Sequence, residues 1–406
     1  MISALLIDLD DTLLGNDIDV FLPAYLDRLG KHLSSLIPAD RMLRALLGGT
    51  RAMIENRDPE RILSDVFDAY FYPRLETTEA ALRPSIEEFY ATQFPELRGL
   101  TQARPSAPAL VKGALQLGLE VVVATKPIFP RTANEQRLAW AGASAHEFPY
   151  TLITSYDTVH FSKPLPAYFA EVLGRLGKAP HEAAMIGNDL EDDILPARSL
   201  GMPVFYIGKA TDGQFPSGNL DQVLGWLPLA EEQADRQASR QPEAISAFLS
   251  GNVAALLGLT KGMEDAAWGI RPADGEWAPV EIVCHLGDVE IEVNLPRLQI
   301  LQEQSSPFVS AVDTDPWVTG RDYLTRSGPA ALAAFVEARK QTIAQLESLS
   351  AEEWARPARH ALLGPTTLAE LMAVVCDHDR LHLAKIRRAL PPAPGNPPLQ
   401  PPGRTI

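Results

Sequence analysis

The chain has 406 residues and carries 36 Lys and Arg against 52 Asp and Glu, a formal net charge of −16 at pH 7. This length predicts two or three domains, and a hydrophobic content of 46% supplies enough side chains for sizeable cores. The acidic balance excludes a generally basic surface, so we expect no nucleic-acid partner. We find no apolar stretch of the ~18 residues that a membrane span needs, and we expect no membrane partner.

Two further features bear on the compartment. The N-terminus lacks the basic region of a signal peptide, so we expect none. The sequence holds two cysteines, Cys284 and Cys376, which make no disulfide framework. Both observations favour a cytoplasmic protein in a reducing environment.

The first predicted element is a buried strand, the apolar run from Ala4 to Ile7. Side chains alternate along a strand, so Asp8 and Asp10, which follow it, share one face. Two neighbouring carboxylates are costly unless a cation or a proton separates them. The pair therefore indicates an Mg²⁺ site in which one carboxylate attacks and the other shuttles a proton. The alternative is an ordinary acidic turn at the end of a strand.

The segment between Leu14 and about Gly99 is too long for a simple loop and carries apolar residues at helical spacing. Pro38 with Asp40 fits a helix start, as does Pro59. Four aromatic residues of this segment belong either to its own core, which we favour, or to a substrate pocket. They are Phe67, Tyr70, Phe71 and Tyr72.

Three more patterns follow in the order of the chain. A predicted strand from Leu119 ends at Thr125, and Lys163 stands directly before a helical pattern. A third apolar run leads into Gly187 and an acidic loop that includes Asp189. Each chemical group therefore follows a predicted strand or precedes a predicted helix.

An Asp pair, then Thr, then Lys, then an acidic loop, in this order and context, resembles the haloacid dehalogenase superfamily over roughly residues 1–210. The resemblance implies an α/β domain of residues 1–225 with a Rossmann-like, doubly wound parallel sheet. Its core would comprise residues 1–14 and 100–225. The helical segment of about residues 15–99, inserted after the first strand, would be a cap that decides the choice of substrate.

The resemblance also implies roles for single residues. Asp8 would be the nucleophile that forms an aspartyl-phosphate, and Asp10 the general acid and base. Thr125 would donate a hydrogen bond to the transferring phosphoryl group, and Lys163 would neutralise the charge developing on it. Mg²⁺ would bind Asp8, the backbone carbonyl of Asp10 and the acidic loop.

The acidic loop departs from the family pattern, because Asn188 follows Gly187 where the family usually has Asp. Either Asn188 ligates the ion through its amide oxygen or Asp189 takes the role after a small backbone shift. We favour Asp189, with Asp193 orienting the ligands.

Asp10 also separates two activities that the resemblance implies. Haloacid dehalogenases lack this second Asp, so its presence favours a phosphatase acting on a small phosphorylated metabolite, with a 2-haloacid dehalogenase as the alternative. Thr12 and Lys126 are candidate substrate contacts. For Lys126, a solvated loop position is an equally good interpretation.

After a polar linker of residues 226–240, residues 241–390 show helical periodicity. Residues 391–406 are rich in proline and are predicted to be extended and disordered. His378 and His382 lie four residues apart, on one face of a predicted helix, where they can share a metal ion. With His285 from an earlier helix they would form an open metal site, and surface or core histidines are the alternative.

Residues of about 240–390 resemble the DinB-like four-helix bundle family. The likeness rests on Glu276-Trp277, on the run from Val280 to Leu286, and on the late histidine pair. It implies an all-α domain in which His285, His378 and His382 bind a divalent ion, often Zn²⁺ or Ni²⁺. Some members of that family are thiol-dependent transferases or isomerases, so such an activity in the bundle is an alternative function. A docking or homodimerisation module is a third.

Other residues near the histidines have more ordinary interpretations. Asp288 and Glu292 lie on the helical face of His285, where they either orient the ligands or form a solvated acidic face, which we favour. Cys284 and Cys376 point away from that face, so we expect them to be small buried residues.

Overall fold

The computed structural model describes residues 1–209 and 213–390, so the predicted disordered tail of residues 391–406 lies outside the described residues. The chain divides into two compact units. The first comprises Met1–Phe169 and Pro180–Asp235, and the second comprises Ala170–Ala179 and the chain from Arg236 onward.

The first unit is built on a parallel sheet of six strands with the order β5-β4-β1-β6-β7-β8. The strands of this unit, in chain order, are β1 (Ala4–Ile7), β2 (Leu14–Gly15), β3 (Gln102–Ala103), β4 (Glu120–Val123), β5 (Leu152–Ile153), β6 (Ala183–Gly187), β7 (Val204–Ile207) and β8 (Ser217–Gly218). The central strands β1 and β6 are buried along their whole length, as expected for a parallel sheet covered by helices on both faces. The predicted α/β fold class is confirmed.

Nine helices belong wholly or partly to this unit within the described residues. They are α1 (Ile18–Leu33), α2 (Ala39–Ile54), α3 (Leu63–Leu75), α4 (Glu79–Thr92), α5 (Ser106–Gln116), α6 (Arg131–Trp140), α7 (Pro166–Leu176), α8 (Leu195–Ser199) and α9 (Leu220–Ala230). The helical insertion is α1 to α4, and the short pair β2 and β3 closes its two ends, with Gly15 opposite Gln102.

The insertion shares an aromatic cluster with the sheet domain. Phe94, fully buried, lies in a short 3-10 helix that follows α4. Its ring meets that of Phe21 edge-on at 6.1 Å and stacks on that of Trp140 at 5.4 Å, measured between ring centroids. Aromatic pairs of this kind combine area burial with favourable ring geometry.

The predicted helix start at Pro59 is wrong, because α3 begins at Leu63. The side-chain amide of Asn56 holds the preceding loop in shape by donating to the backbone oxygens of Asp58 at 3.0 Å and His160 at 2.8 Å. A side chain that satisfies loop carbonyls in this way competes with helix formation.

The aromatic residues of α3 mainly form core, as favoured. Phe71 is buried and stacks on Phe67 at 4.8 Å. Tyr72 packs against the same core. Tyr70 is the exception, because its ring lies under the Arg74 guanidinium at 3.4 Å and lines an open cavity of about 470 Å³.

The second unit is a four-helix bundle. Its helices are α10 (Pro242–Thr260), α11 (Pro279–Val289), α12 (Leu295–Glu303), α13 (Pro316–Gly320), α14 (Gly328–Glu347), α15 (Ala351–Trp354) and α16 (Leu368–Ala389). A π-helical turn, Glu290–Asn294, joins α11 to α12 and makes one continuous rod. The other three rods are α10, α14 and α16, and the four pack around one apolar core.

The second unit also contains a small sheet beside its helices, formed by β9 (Phe308–Val309), β10 (Pro357–His360) and β11 (Gly364–Thr367). Such short strands carry too few residues for a period-2 pattern to show.

Helix α10 is long and apolar enough to cross a membrane by length and composition, with a mean hydropathy of 1.3. However, 67% of that window is buried in the structure, and core helices of bundles pass the same test.

We expect Phe94→Ala to lower the free energy of unfolding by about 3–5 kcal/mol, because it empties a fully buried aromatic site. Urea denaturation followed by circular dichroism measures this loss. Leu36→Ala is the control, because Leu36 is 55% exposed. A loss below about 1 kcal/mol for Phe94→Ala would show that the cluster does not hold the insertion in place.

Candidate active site and candidate metal centre

The carboxyl ends of three neighbouring strands meet at one edge of the sheet. Ile7, the last residue of β1, pairs with Val123 of β4 and with Ile186 of β6. The residues that follow these strands therefore lie together, and they include Asp8 and Thr125. Ligand sites in open α/β sheets form at this edge.

Lys163 brings two of the predicted carboxylates together. Its Nζ donates to Asp8 Oδ1 at 2.9 Å and to Asp193 Oδ1 at 2.5 Å, and all three side chains are buried. The Lys163 side chain is 1% exposed and reaches the sheet edge from the loop that precedes α7. One cation thus serves two anions in a site shielded from water.

The pKa values of these groups reflect that imbalance. Burial raises the pKa of Asp8 to about 7, with Lys163 opposing the rise and Asp193 and Asp10 adding to it. Burial also raises the pKa of Asp193. Burial by itself would lower the pKa of Lys163, but the two carboxylates raise it above its usual range. The lysine is therefore charged, and the two carboxyl groups, when both are ionised, carry more negative charge than it neutralises.

Asp10 has a partner that sequence reasoning missed. Nη1 of Arg137 donates to both Asp10 oxygens, at 2.8 and 2.6 Å, and Asn16 Nδ2 donates to Oδ1 at 2.7 Å. Arg137 lies in α6 and is fully buried. A signal existed in the sequence, because Asn134 and Arg137 are three residues apart, on the helix face that carries Leu138.

The acidic loop after β6 begins with a π-helical turn, Leu190–Ile194. The Asp189 carboxylate caps this turn by accepting the backbone N–H groups of Glu191 and Asp192, each at 2.8 Å. Asp193, rather than Asp189, is the loop carboxylate that reaches Lys163. The Asn188 amide oxygen accepts from Thr12 at 2.9 Å.

The two candidate substrate contacts are both engaged with protein groups. The Thr12 side chain is fully buried and its hydroxyl donates to Asn188. Lys126 Nζ forms an ion pair with Asp192 at 2.8 Å, with about a third of its side chain exposed. Thr125 is buried, and its backbone oxygen accepts from the hydroxyls of Thr154 at 2.9 Å and Tyr168 at 3.1 Å, which fixes the loop after β4.

The second unit brings the three predicted histidines together. The Nε2 atom of His378 lies 3.1 Å from the Nε2 atoms of both His285 and His382. One nitrogen atom from each ring falls within 4.8 Å of the others. His285 comes from α11, and the other two come from successive turns of α16.

These three side chains are suited to bind a metal ion. Burial, reinforced by the neighbouring His378, lowers the pKa of His285 to about 3, and burial lowers the pKa values of His378 and His382 as well. All three imidazoles are therefore neutral near pH 7, which is the form that ligates metals. Three neutral nitrogen ligands from two helices are the donor set of many transition-metal sites.

The surroundings of the triad are aromatic and charged. The Trp277 ring stacks on His382 with the centroids 5.4 Å apart, and Lys385 Nζ lies 4.3 Å from the centroid of the same ring. Asp288 and Glu292 bind Arg321 instead of the triad, at 2.7 and 2.6 Å, and Tyr323 also donates to Asp288. Cys284 and Cys376 are buried free thiols, as predicted.

A buried ionic network lies next to the triad along α16. Arg339 binds Glu290 through Nε at 2.8 Å and Asp379 through Nη2 at 3.2 Å. The Thr342 hydroxyl donates to Glu290 at 2.5 Å. Burial alone would raise the pKa of Glu290, but the Arg339 guanidinium holds it below its usual value.

Two family models match separate parts of the chain. A family model described as haloacid dehalogenase-like hydrolase matches residues 2–201, and a DinB superfamily model matches residues 249–386. The chain therefore joins a domain of the haloacid dehalogenase-like hydrolases to a domain of the DinB superfamily, and the suspected fusion is confirmed.

Among curated proteins, the chain is 30% identical to a phosphoserine phosphatase of Thermus thermophilus over 123 residues, 30% of this chain and 47% of that protein. It thus spans about half the length of that relative. It is 28% identical to a phosphoglycolate phosphatase of Rhodospirillum rubrum over 208 residues, 50% of this chain and 78% of that protein.

Two solved structures are also similar in part. A haloacid dehalogenase-type phosphatase of Thermococcus onnurineus is 22% identical with a TM-score of 0.36, over 56% of this chain and 98% of its own. The YfiT protein of Bacillus subtilis, a four-helix bundle, is 21% identical with a TM-score of 0.34, over 38% of this chain and 87% of its own. Likenesses this weak carry no functional argument.

We expect His378→Ala to weaken metal binding at least ~10-fold, because losing a direct ligand costs no less than losing one of its outer partners. The measurement is the metal content of the full chain after loading with Zn²⁺ or Ni²⁺ and dialysis. His360→Ala is the matched control, because His360 lies in β10 and outside the triad. A loaded wild type that retains no metal would contradict the site.

We expect Arg339→Met to lower the free energy of unfolding by about 3–5 kcal/mol, since it leaves buried carboxylates without a counter-charge. The buried Glu290 and Asp379 would both lose their cation. Chemical denaturation monitored by circular dichroism tests this, with the exposed Lys340→Met as control. Equal stability of the two variants would mean that the network is energetically neutral.

Proposed function

We propose that the first unit is an Mg²⁺-dependent phosphatase that hydrolyses a small phosphorylated metabolite through an aspartyl-phosphate on Asp8. The observation that carries this proposal is the buried cluster of Asp8, Lys163 and Asp193 at the carboxyl edge of the sheet, with Asp10 two residues from the nucleophile. The family match and the phosphatase relatives support the same class of reaction.

The donor set fits a hard divalent cation. When both are ionised, Asp8 and Asp193 carry more negative charge than Lys163 neutralises, and burial raises both of their pKa values. An oxygen-preferring cation would relieve that excess. Asp8, the backbone carbonyl of Asp10 and the acidic loop at Asn188 or Asp189 would hold Mg²⁺, which would neutralise phosphate charge when bound.

The proposed reaction consists of two successive displacements at phosphorus. An oxygen of the Asp8 carboxylate attacks phosphorus, and the bond between phosphorus and the leaving oxygen breaks while Asp10 gives that oxygen a proton. Asp10 then takes a proton from water, whose oxygen attacks the same phosphorus and releases phosphate from Asp8. Lys163, held beside Asp8, stabilises the charge on the transferring group, and Thr125 donates to it.

The dehalogenase alternative is less favoured. Release of halide from a 2-haloacid needs no residue that protonates a leaving oxygen. The Asp10 charge contributes to the raised pKa of Asp8, and Arg137 and Asn16 both donate to the Asp10 carboxyl. A fixed second carboxyl beside the nucleophile suits proton transfer during phosphoryl transfer.

For the second unit we propose a bound Zn²⁺ or Ni²⁺ on His285, His378 and His382. Three neutral imidazoles suit these ions, and the convergence of their Nε2 atoms supports the assignment. A metal-dependent thiol transferase or isomerase is the activity that such a centre would allow. Thiol consumption by the full chain loaded with metal, compared with His378→Ala, tests it.

We expect Asp8→Asn to reduce phosphate release more than ~10³-fold, because removal of a nucleophile removes the covalent route. Phosphate release from sugar phosphates, nucleotides and p-nitrophenyl phosphate is measured with Mg²⁺ and with a chelator. The matched control is Asp11→Asn. The Asp11 side chain is half exposed and bound to Arg104, and Asn tolerates its left-handed backbone (φ 54°). Equal turnover of Asp8→Asn and wild type would refute the nucleophile.

A further inference from the structure

A chain of buried contacts links Asp10 to the sheet through Arg137. Arg137 Nη1 spans both Asp10 oxygens, and Arg137 Nη2 donates to Asn134 Oδ1 at 2.5 Å. Asn134 Nδ2 in turn donates at 2.7 Å to the backbone oxygen of Thr154, directly after β5. These contacts fix the position of the Asp10 carboxyl relative to a strand of the sheet.

The guanidinium has little freedom to move. The Arg137 side chain is 0% exposed, and its Cζ lies 4.5 Å from the centroid of the Phe129 ring. The Asp10 side chain, by contrast, is 25% exposed, so its carboxyl faces both the buried arginine and the open side of the site. A rigid donor behind a partly open carboxyl holds the carboxyl in one orientation.

Two polar atoms next to this pair have no hydrogen-bond partner among the described residues. They are Arg137 Nε and Asn16 Oδ1, and both are buried. Asn16 also donates to Asp10, so both atoms belong to side chains that hold the same carboxyl. Buried polar atoms are nearly always paired in a folded protein, and an ordered water is the ordinary partner of such a buried donor and acceptor.

We propose that Arg137 is the positioning residue for Asp10 and acts through it in the proton transfers. The proposal rests on the phosphatase function proposed above. When Asp10 gives its proton to the leaving oxygen, it becomes a carboxylate, and the Arg137 guanidinium stabilises that product in place. The same carboxylate is then oriented to take a proton from the attacking water. Both steps conserve charge and need no other reactant.

The test compares two substrates, of which one has a leaving group that must be protonated and the other does not. An alkyl phosphate releases an alkoxide that must be protonated, whereas p-nitrophenyl phosphate releases a stable phenolate. We expect Arg137→Met to lower kcat for the alkyl phosphate by about 10²-fold, at the low end of general acid catalysis. We expect the pre-steady-state burst of p-nitrophenol to slow less than tenfold. Arg137→Lys, which keeps the charge, should recover part of the loss.

The control is Arg131→Met on the same helix, because Arg131 is 54% exposed and pairs with Glu135 away from Asp10. A purely structural role of Arg137 would lower both rates by the same factor, and that outcome would overturn the proposal. Unchanged rates for both substrates would overturn it as well.

A second readout does not depend on activity. In a double-mutant cycle of Asp10→Asn and Arg137→Met, we expect the unfolding equilibrium constants to show a coupling of at least tenfold, because the two groups are in direct contact. If the effects of the two substitutions on the free energy of unfolding are additive, the ion pair contributes nothing and the proposal is overturned. A wild type that matches Asp8→Asn in every phosphatase assay would instead show that the proposed function has failed. The positioning role, which rests on that function, would then fall even where the cycle shows coupling.

Discussion

The first unit depends on the burial of one lysine between two carboxylates. Lys163, Asp8 and Asp193 come from three separate loops, and each would be costly to bury alone. Together they fasten the loops after β1 and β6 to the loop before α7. Removing Lys163 would leave two buried carboxylates without a counter-charge, so the folding of this edge and its chemistry rest on the same contacts. This coupling is why a loss of activity here must always be compared with a measurement of stability.

The two units share one arrangement of buried charges. Each places a buried carboxylate in a π-helical turn and pairs it with a buried cation. Asp193 lies in the turn Leu190–Ile194 opposite Lys163, and Glu290 begins the turn Glu290–Asn294 opposite Arg339. The extra residue of a π turn shifts the side chains that follow it around the helix axis, and such turns are common at functional sites. The polar turn in the bundle begins five residues after His285, so this histidine and the ionic network share one rod.

Sequence patterns located the ends of the strands well. Fully buried strands are short continuous apolar runs bounded by turn residues, so β1 and β6 could be placed to within a residue or two, and Asp8 with them. The periodicity of the sequence does not show which side chains meet across the site. The spacing of Asn134 and Arg137 marks one face of α6, but it does not show that this face turns toward Asp10. For the same reason, periodicity could not show that Asp193, inside the π turn, reaches Lys163 while Asp189 caps the start of that turn.

The chemistry of the two donor sets favours different ions. In the first unit the donors are carboxylate, amide and backbone oxygens around a buried excess of negative charge, which is the environment that Mg²⁺ prefers. In the second unit they are three imidazoles whose pKa values are lowered by burial, so they bring no charge and offer softer nitrogen ligands. Zn²⁺ or Ni²⁺ gains most from the second set and Mg²⁺ gains little from it. The ordinary abundance of Mg²⁺ would therefore leave the histidine centre free for a transition metal, and each unit can carry its own metal.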